Sequence, residues 1–209
     1  MTDVADRGAD FWRAQAQRYD RAVGFLNRRF EAMAREVGDA VDGCQDVLEV
    51  AAGTGLVTQH IAPRVSKLVA TDASDEMLDI LRGRIRDLGE KNVAVELADI
   101  YELRFDAESF DAVVMANVLH LLPSPDAALH EAKSVLRRGG RLFAPTFCHG
   151  DDLVAHAVSR LLALFRFPVI TRFSGASLAS LIEAAGLVVE RRERFAGLLP
   201  VWLVVARRP

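Results

Sequence analysis

Val47-Leu48-Glu49-Val50-Ala51-Ala52-Gly53-Thr54-Gly55-Leu56-Val57-Thr58 is the stretch around which this chain is organised. From Val47 to Ala52 it is apolar except for Glu49, the pattern of a strand covered on both faces. Gly53 and Gly55 follow, residues that allow positive φ and close approach of the backbone to a ligand. A helix is expected next, over about residues 56–62 and stopped near Pro63, with its first N–H groups lacking intrahelical partners. Glu49 is the anomaly. A carboxyl inside a buried strand needs a partner, and a polar or cationic ligand above the strand end would supply one.

Strand and helix signals alternate on both sides of this stretch. Lys67 to Thr71 predicts a second strand ending at Asp72. Ser74 to Leu88 predicts a helix with Ser74 as its cap, Met77, Leu78, Leu81, Ile85 and Leu88 on its face, and Gly89 as its stop. Asn92 to Leu97 predicts a third strand ending at Asp99, and Phe110 to Met115 a fourth. Pro125 to Leu136 predicts a helix with Arg137 and Arg138 in its last turn and Gly139-Gly140 behind it; Arg141 to Phe147 predicts a fifth strand. Five alternations define an α/β, doubly wound, mostly parallel sheet with helices on both faces. In such sheets ligands sit beyond the carboxyl ends of the strands.

The flanks differ. Trp12, Ala16, Tyr19, Val23, Leu26, Phe30, Met33 and Val37 recur at helical spacing, and Gly24 and Asn27 divide the pattern into two helices. They pack on the domain or form a lid. Asp151 to Phe167 predicts an extra apolar helix that packs on the domain or covers a substrate. Gly175 to Ala185 predicts a helix. Leu187 to Phe195 and Leu199 to Ala206 predict an antiparallel hairpin turning at Ala196-Gly197. The expectation is one domain over residues 1–209: an N-terminal helical lid at 1–40, a cofactor-binding core at 45–147, a substrate-covering insertion at 148–172 and a C-terminal helix and hairpin at 173–209.

Composition narrows the function. The 209 residues are 51% hydrophobic and 26% charged with a net charge of −3, which argues against a protein that grips nucleic-acid phosphates. No apolar run approaches the ~20 residues of a membrane span. The N-terminus is polar, and Cys44 and Cys148 suggest no disulfide framework. A cytoplasmic protein, monomeric or homodimeric, is expected, with peripheral membrane contact open. Cys148, His149, Asp151 and Asp152 lie near one another in sequence but lack ligand spacing, so no metal is expected.

The glycine turn admits several cofactors. A dinucleotide fingerprint wants a small third residue where Thr58 stands, and no lysine of a phosphate-binding loop follows Gly55. A different set matches. Glu49-Val50-Ala51-Ala52-Gly53-Thr54-Gly55, Asp72, Leu97-Ala98-Asp99-Ile100, Phe110 to Asn117 and Leu136 to Leu142 resemble, in order, the motifs of the class I S-adenosylmethionine-dependent methyltransferases. The departures are Ala51 in place of the first glycine and Arg138 where proline is common. The resemblance covers residues from about 45 to the C-terminus and implies a Rossmann-like fold. It implies S-adenosylmethionine as cofactor, with Glu49, Ala51, Gly53 and Gly55 at its amino-acid end and Asp72 on both ribose hydroxyls. Ala73 and Met77 would lie against the adenine, Asp99 and Ile100 would recognise its amino group, and Asn117 would stand where the substrate pocket begins. The Tyr19-Asp20 pair and the Ala52-Gly-Thr-Gly turn resemble the branch holding quinone-biosynthesis C-methyltransferases and phospholipid N-methyltransferases, which places Tyr19 at the cofactor.

Methyl transfer from a sulfonium is an in-line displacement with a neutral leaving group, so positioning dominates. A base is needed only when the nucleophile holds a proton; His120, three residues beyond Asn117, is the candidate, with His149 behind it. Asn117 lacks the Pro-Pro-aromatic string of enzymes acting on exocyclic or amide nitrogens, which leaves a small molecule, lipophilic if the apolar flanks cover it, as acceptor. The competing functions are a sensor or partner subunit that binds the cofactor without catalysis, and a nicotinamide-dependent oxidoreductase.

Overall fold

The computed structural model describes residues 27–148, 170–196 and 200–209. Tyr19, the first helix of the lid, the insertion helix at 151–167 and the Gly197 turn lie outside the described residues. Among the described residues seven strands form, and the chain divides into two compact units, Met1–Arg104 and Phe105–Pro209.

In the first unit, α1 (Asn27–Ala40) turns Phe30, Met33, Ala34 and Val37 into the core. The strands β1 (Asp46–Val50), β2 (Lys67–Asp72) and β3 (Val93–Leu97) lie in the order β3-β2-β1, all parallel, with Glu49 opposite Ala70 and Val50 opposite Thr71. The helix expected at 56–62 is shorter. It is one α-turn, α2 (Thr58–Ile61), continued as a 3-10 turn at Ala62–Arg64 that contains Pro63. Gly53 to Val57 are used up in making the turn itself, and proline without an N–H tightens the helix rather than extending it. His60 on α2 lies 3.3 Å from the Glu31 carboxyl and Arg64 2.7 Å from that of Asp39, which ties α2 to α1.

The helix α3 (Asp75–Leu88) follows the sequence in its caps and in Met77, Leu78, Leu81 and Ile85, which are buried, but Leu88, expected on the same face, is 49% exposed at the helix end. Ser74 accepts the N–H of Met77 at 3.3 Å, and Gly89 closes the helix at φ +74 with its N–H on the Arg86 and Ile85 carbonyls. Leu78, Leu81 and Ile85 pack with Ala70, and Ala52 after β1 closes the cluster together with Val93 and Val95 of β3. Leu97, the last residue of β3, is 57% exposed.

In the second unit, β4 (Phe110–Val114), β5 (Leu136–Phe147), β7 (Val201–Arg207) and β6 (Val188–Phe195) lie in that order. β4 and β5 are parallel, and β7 is antiparallel to β5 and to β6. The helices are α4 (Pro125–Val135) and α5 (Gly175–Ala184), the second opened by a capping box between Ser174 and Ser177. Arg137 and Arg138 were expected in the last turn of α4 and instead open β5. Leu136 already pairs with Phe110, and Arg137 donates to the Asp111 carboxylate of β4. Strand pairing and that ion pair draw the segment out of the helix, and Lys133 takes the last-turn position, donating to the Ala185 carbonyl at 3.0 Å. Gly140 is required at the resulting irregularity, because a Cβ there would lie 2.9 Å from the Arg137 carbonyl oxygen and 3.0 Å from that of Asp111.

Candidate functional site

In the first unit, the carboxyl ends of β1 and β2 converge on the glycine turn. The Ala52 N–H donates to the Thr71 carbonyl at 2.8 Å and the Gly55 N–H to the Ala52 carbonyl at 3.0 Å. Ala51 takes φ +56, the left-handed conformation that a glycine reaches without a Cβ penalty. Gly53 is also left-handed, and a Cβ built there would meet nothing within 4 Å among the described residues. The space beside it is open to a ligand. Gly55 is different: a Cβ there would fall 2.3 Å from Leu81 Cδ1, so this glycine lets the turn sit on α3.

Asp72 is held in place by backbone. Its Oδ2 accepts the Gly53 N–H at 2.8 Å and its Oδ1 the Ser74 N–H at 3.0 Å. Burial pushes its pKa up, and the N–H groups of Gly53, Ser74 and Ala73 pull it back. A carboxylate fixed in this way faces the turn with acceptor capacity to spare.

Glu49 lies on β1 beneath this turn and is 1% exposed. Its Oε2 has no hydrogen-bond partner among the described residues. Burial drives its pKa up to about 8, the Thr58 hydroxyl nearby favours the charged form, and the Asp72 charge raises the pKa further. The Thr58 hydroxyl falls short of a full hydrogen bond, because its own Oγ1 is buried without a partner as well. At neutral pH the carboxyl is therefore held neutral, and a cation placed beside it would reverse that balance.

Beyond β2, Ala73 is exposed while Met77 is buried, so the two stand at different depths in the unit. Asp99 is exposed and caps its own turn, accepting the Tyr101 N–H at 2.9 Å; Ile100 is half-buried beside it.

The second unit carries Asn117 and His120. Asn117 follows β4 with φ +53, and its N–H donates to the Pro145 carbonyl at 2.7 Å. The side chain is 6% exposed, and neither its Oδ1 nor its Nδ2 has a partner among the described residues. An amide buried in this way is costly unless a ligand satisfies it. His120 was expected on a loop. It sits in a 3-10 turn (Leu119–Leu121), 2% exposed, with its ring edge-to-face against Phe147 at 6.0 Å. Its carbonyl receives the N–H groups of Ile170 and Thr171.

The sequence thus pointed to Glu49, Gly53, Gly55 and Asp72, which the fold brings to one turn, and to Asn117 and His120, which share the segment after β4. It passed over Thr58 and Thr71, two buried hydroxyls around Glu49. Thr71 donates to the Glu49 carbonyl at 3.1 Å. The only signal was polarity at positions that should be apolar.

A doubly wound sheet finished by an antiparallel pair, with two acids flanking a glycine turn, is that of the class I S-adenosylmethionine-dependent methyltransferases. More narrowly, residues 47–140 match the methyltransferase domain family. Over 121 residues the chain is 36% identical to a demethylmenaquinone methyltransferase of Clavibacter sepedonicus, covering 54% of this chain and 49% of that protein. It is 32% identical over 152 residues to a ubiquinone/menaquinone biosynthesis C-methyltransferase of Chromobacterium violaceum, covering 70% and 62%. The chain therefore spans about half to three-fifths of these relatives' length. Among solved structures, the magnesium protoporphyrin IX methyltransferase of Synechocystis, with S-adenosylhomocysteine bound, superposes at a TM-score of 0.76 over 96% of this chain and 98% of that one, at 17% identity. That likeness shows the fold. The cofactor of the family is S-adenosylmethionine.

Proposed function

We propose that the protein transfers a methyl group from S-adenosylmethionine to a small lipophilic acceptor by in-line displacement. The observation that carries the reading is the glycine turn of the first unit, with, among the described residues, open space beside Gly53, an orphaned carboxyl oxygen on Glu49 and spare acceptor capacity on Asp72. These fit an amine, a closely approaching chain and a vicinal diol. When bound, the cofactor supplies an electrophilic methyl group on a sulfonium whose departure leaves a neutral thioether.

The residues of this chain do the rest. Glu49 and the backbone from Ala51 to Gly55 hold the amino-acid end, and Asp72 accepts from two hydroxyls in a charge-assisted contact. Ala73, Met77, Asp99 and Ile100 take the adenine, with Tyr19 as a further contact. Asn117 presents its amide to the ligand, and His120 takes the proton where the acceptor carries one. The quinone-pathway names of the relatives support an acceptor of isoprenoid-quinone type, which makes demethylated quinols the first substrates to test. No described helix is long and apolar enough to cross a membrane, so a lipophilic acceptor would be met at a membrane surface or in solution.

The test joins a thermal shift with S-adenosylmethionine to transfer of a labelled methyl group to demethylated quinols and to a metabolite extract. Stabilisation by cofactor, its loss in Asp72→Ala, and a labelled product are expected. Binding without transfer to any acceptor would leave a cofactor-binding sensor. Absence of binding would overturn the reading.

A further inference from the structure

The turn holds a second polar group that the proposed function does not use. Thr58 opens α2 and is fully buried, and its Oγ1 has no hydrogen-bond partner among the described residues. The hydroxyl lies under the glycine turn, 3.4 Å from where a Cβ on Gly55 would stand. Glu49 on β1 leaves its Oε2 in the same condition. A small apolar residue at position 58 would pack under the turn at no polar cost. Two orphaned, buried polar groups from two elements are instead left next to each other, an arrangement that costs stability unless a ligand satisfies it.

We propose that Thr58 is a positioning residue for Glu49, and that the two form a proton-releasing seat for the ammonium group of the cofactor's amino-acid end. The inference rests on the cofactor site proposed above. The neutral Glu49 carboxyl and an incoming ammonium give a carboxylate–ammonium pair and one proton, which leaves to solvent. The Thr58 hydroxyl donates to the new carboxylate and the ammonium takes the orphaned oxygen. Among the described residues, the ionisable groups on the surrounding elements do not supply that cation. Asp72 at the end of β2 carries the wrong charge, His60 on α2 is turned to Glu31 on α1, and in the first turn of α3 Asp75 is an acid and Glu76 accepts from Ser74. A carboxyl with its pKa at about 8 is about nine-tenths protonated at pH 7, so nearly one proton is released for each ligand bound.

The probe is S-adenosylhomocysteine, which carries the amino-acid end and cannot react. 5′-Methylthioadenosine, which lacks that end, is the control. Isothermal titration at pH 7 in buffers of different ionisation enthalpy counts the protons. The intact protein is expected to release about 0.9 proton with the first ligand and none with the second, and to gain about tenfold in affinity from pH 6 to pH 7. Glu49→Gln is expected to lose tenfold or more in affinity, with its proton release and pH slope abolished. Thr58→Val should weaken binding severalfold, and Thr58→Ser should restore it. No proton release by the intact protein, with Glu49→Gln still weakened, overturns the proton coupling and leaves the site standing. Wild-type affinity in both Glu49→Gln and Thr58→Val shows that the amino-acid end binds elsewhere and overturns the site itself. Equal affinities and pH profiles for Thr58→Val and Thr58→Ser remove Thr58 from the assignment.

Discussion

At the scale of single residues, the turn is a compromise between strain and access. Ala51 occupies a left-handed position that glycine fills more cheaply. Ala51→Gly is expected to raise the unfolding free energy by about 1 kcal/mol in a urea titration, because the Cβ penalty at positive φ outweighs the entropy gained by the unfolded chain. Gly53→Val works in the opposite direction twice. It adds strain of about 1–2 kcal/mol at φ +56, and its side chain fills the open space beside the turn. Cofactor affinity should fall at least tenfold in that variant, measured by titration with S-adenosylhomocysteine; unchanged affinity would remove Gly53 from the site. The glycines and acids were legible because turn chemistry leaves a mark in residue type. Thr58 was legible only as a mismatch to another fingerprint, and its hydroxyl acquired meaning once it was found buried beside Glu49.

At the scale of elements, caps and clamps set stability away from the site. The cap of α3 was readable from Ser74 and Gly89, and Ser74→Ala should cost about 1 kcal/mol of stability by chemical denaturation, with the Met77 N–H left unmet. The end of α4 was not readable. Its carbonyls are claimed by Arg208, some 70 residues later, whose guanidinium donates to Lys133, Ser134 and Leu136 and reaches the Glu108 carboxylate at 2.8 Å. Arg208→Lys should therefore lose most of what Arg208→Ala loses, about 1.5–3 kcal/mol, since an ammonium cannot reproduce the fork. A lysine variant as stable as the parent would show that charge alone is at work. The same long-range pairing explains why Arg137 and Arg138 were placed in a helix and belong to a strand.

At the scale of the molecule, the buried carboxyl links folding to pH. Glu49 titrates near 4.5 in the unfolded chain and at about 8 in the folded one. Between those values the unfolded state has lost its proton while the folded state retains it, so stability falls as pH rises from about 4.5 to about 8 and levels off above. Asp72, also raised, acts in the same direction. The ligand-free protein is expected to melt at progressively lower temperature across this window, and Glu49→Gln should remove the larger part of the decline. A melting temperature independent of pH in the parent would contradict the burial of a neutral carboxyl.

Sequence alone determined the alternation of elements, the parallel core, the caps of α3 and the residues that make up the glycine turn. These depend on local periodicity and on turn chemistry, which act over a few residues. Tertiary structure decided that the helix after the turn is a single α-turn, that Arg137 and Arg138 open β5, that Gly55 packs on α3 while Gly53 has no described neighbour where a Cβ would stand, and that His120 is a buried ring against Phe147. It also decided that Glu49, Thr58 and Asn117 are buried with atoms left unpartnered. Burial and the absence of a partner are properties of the packed chain, because they depend on every neighbour that folding brings near, and no local pattern encodes them.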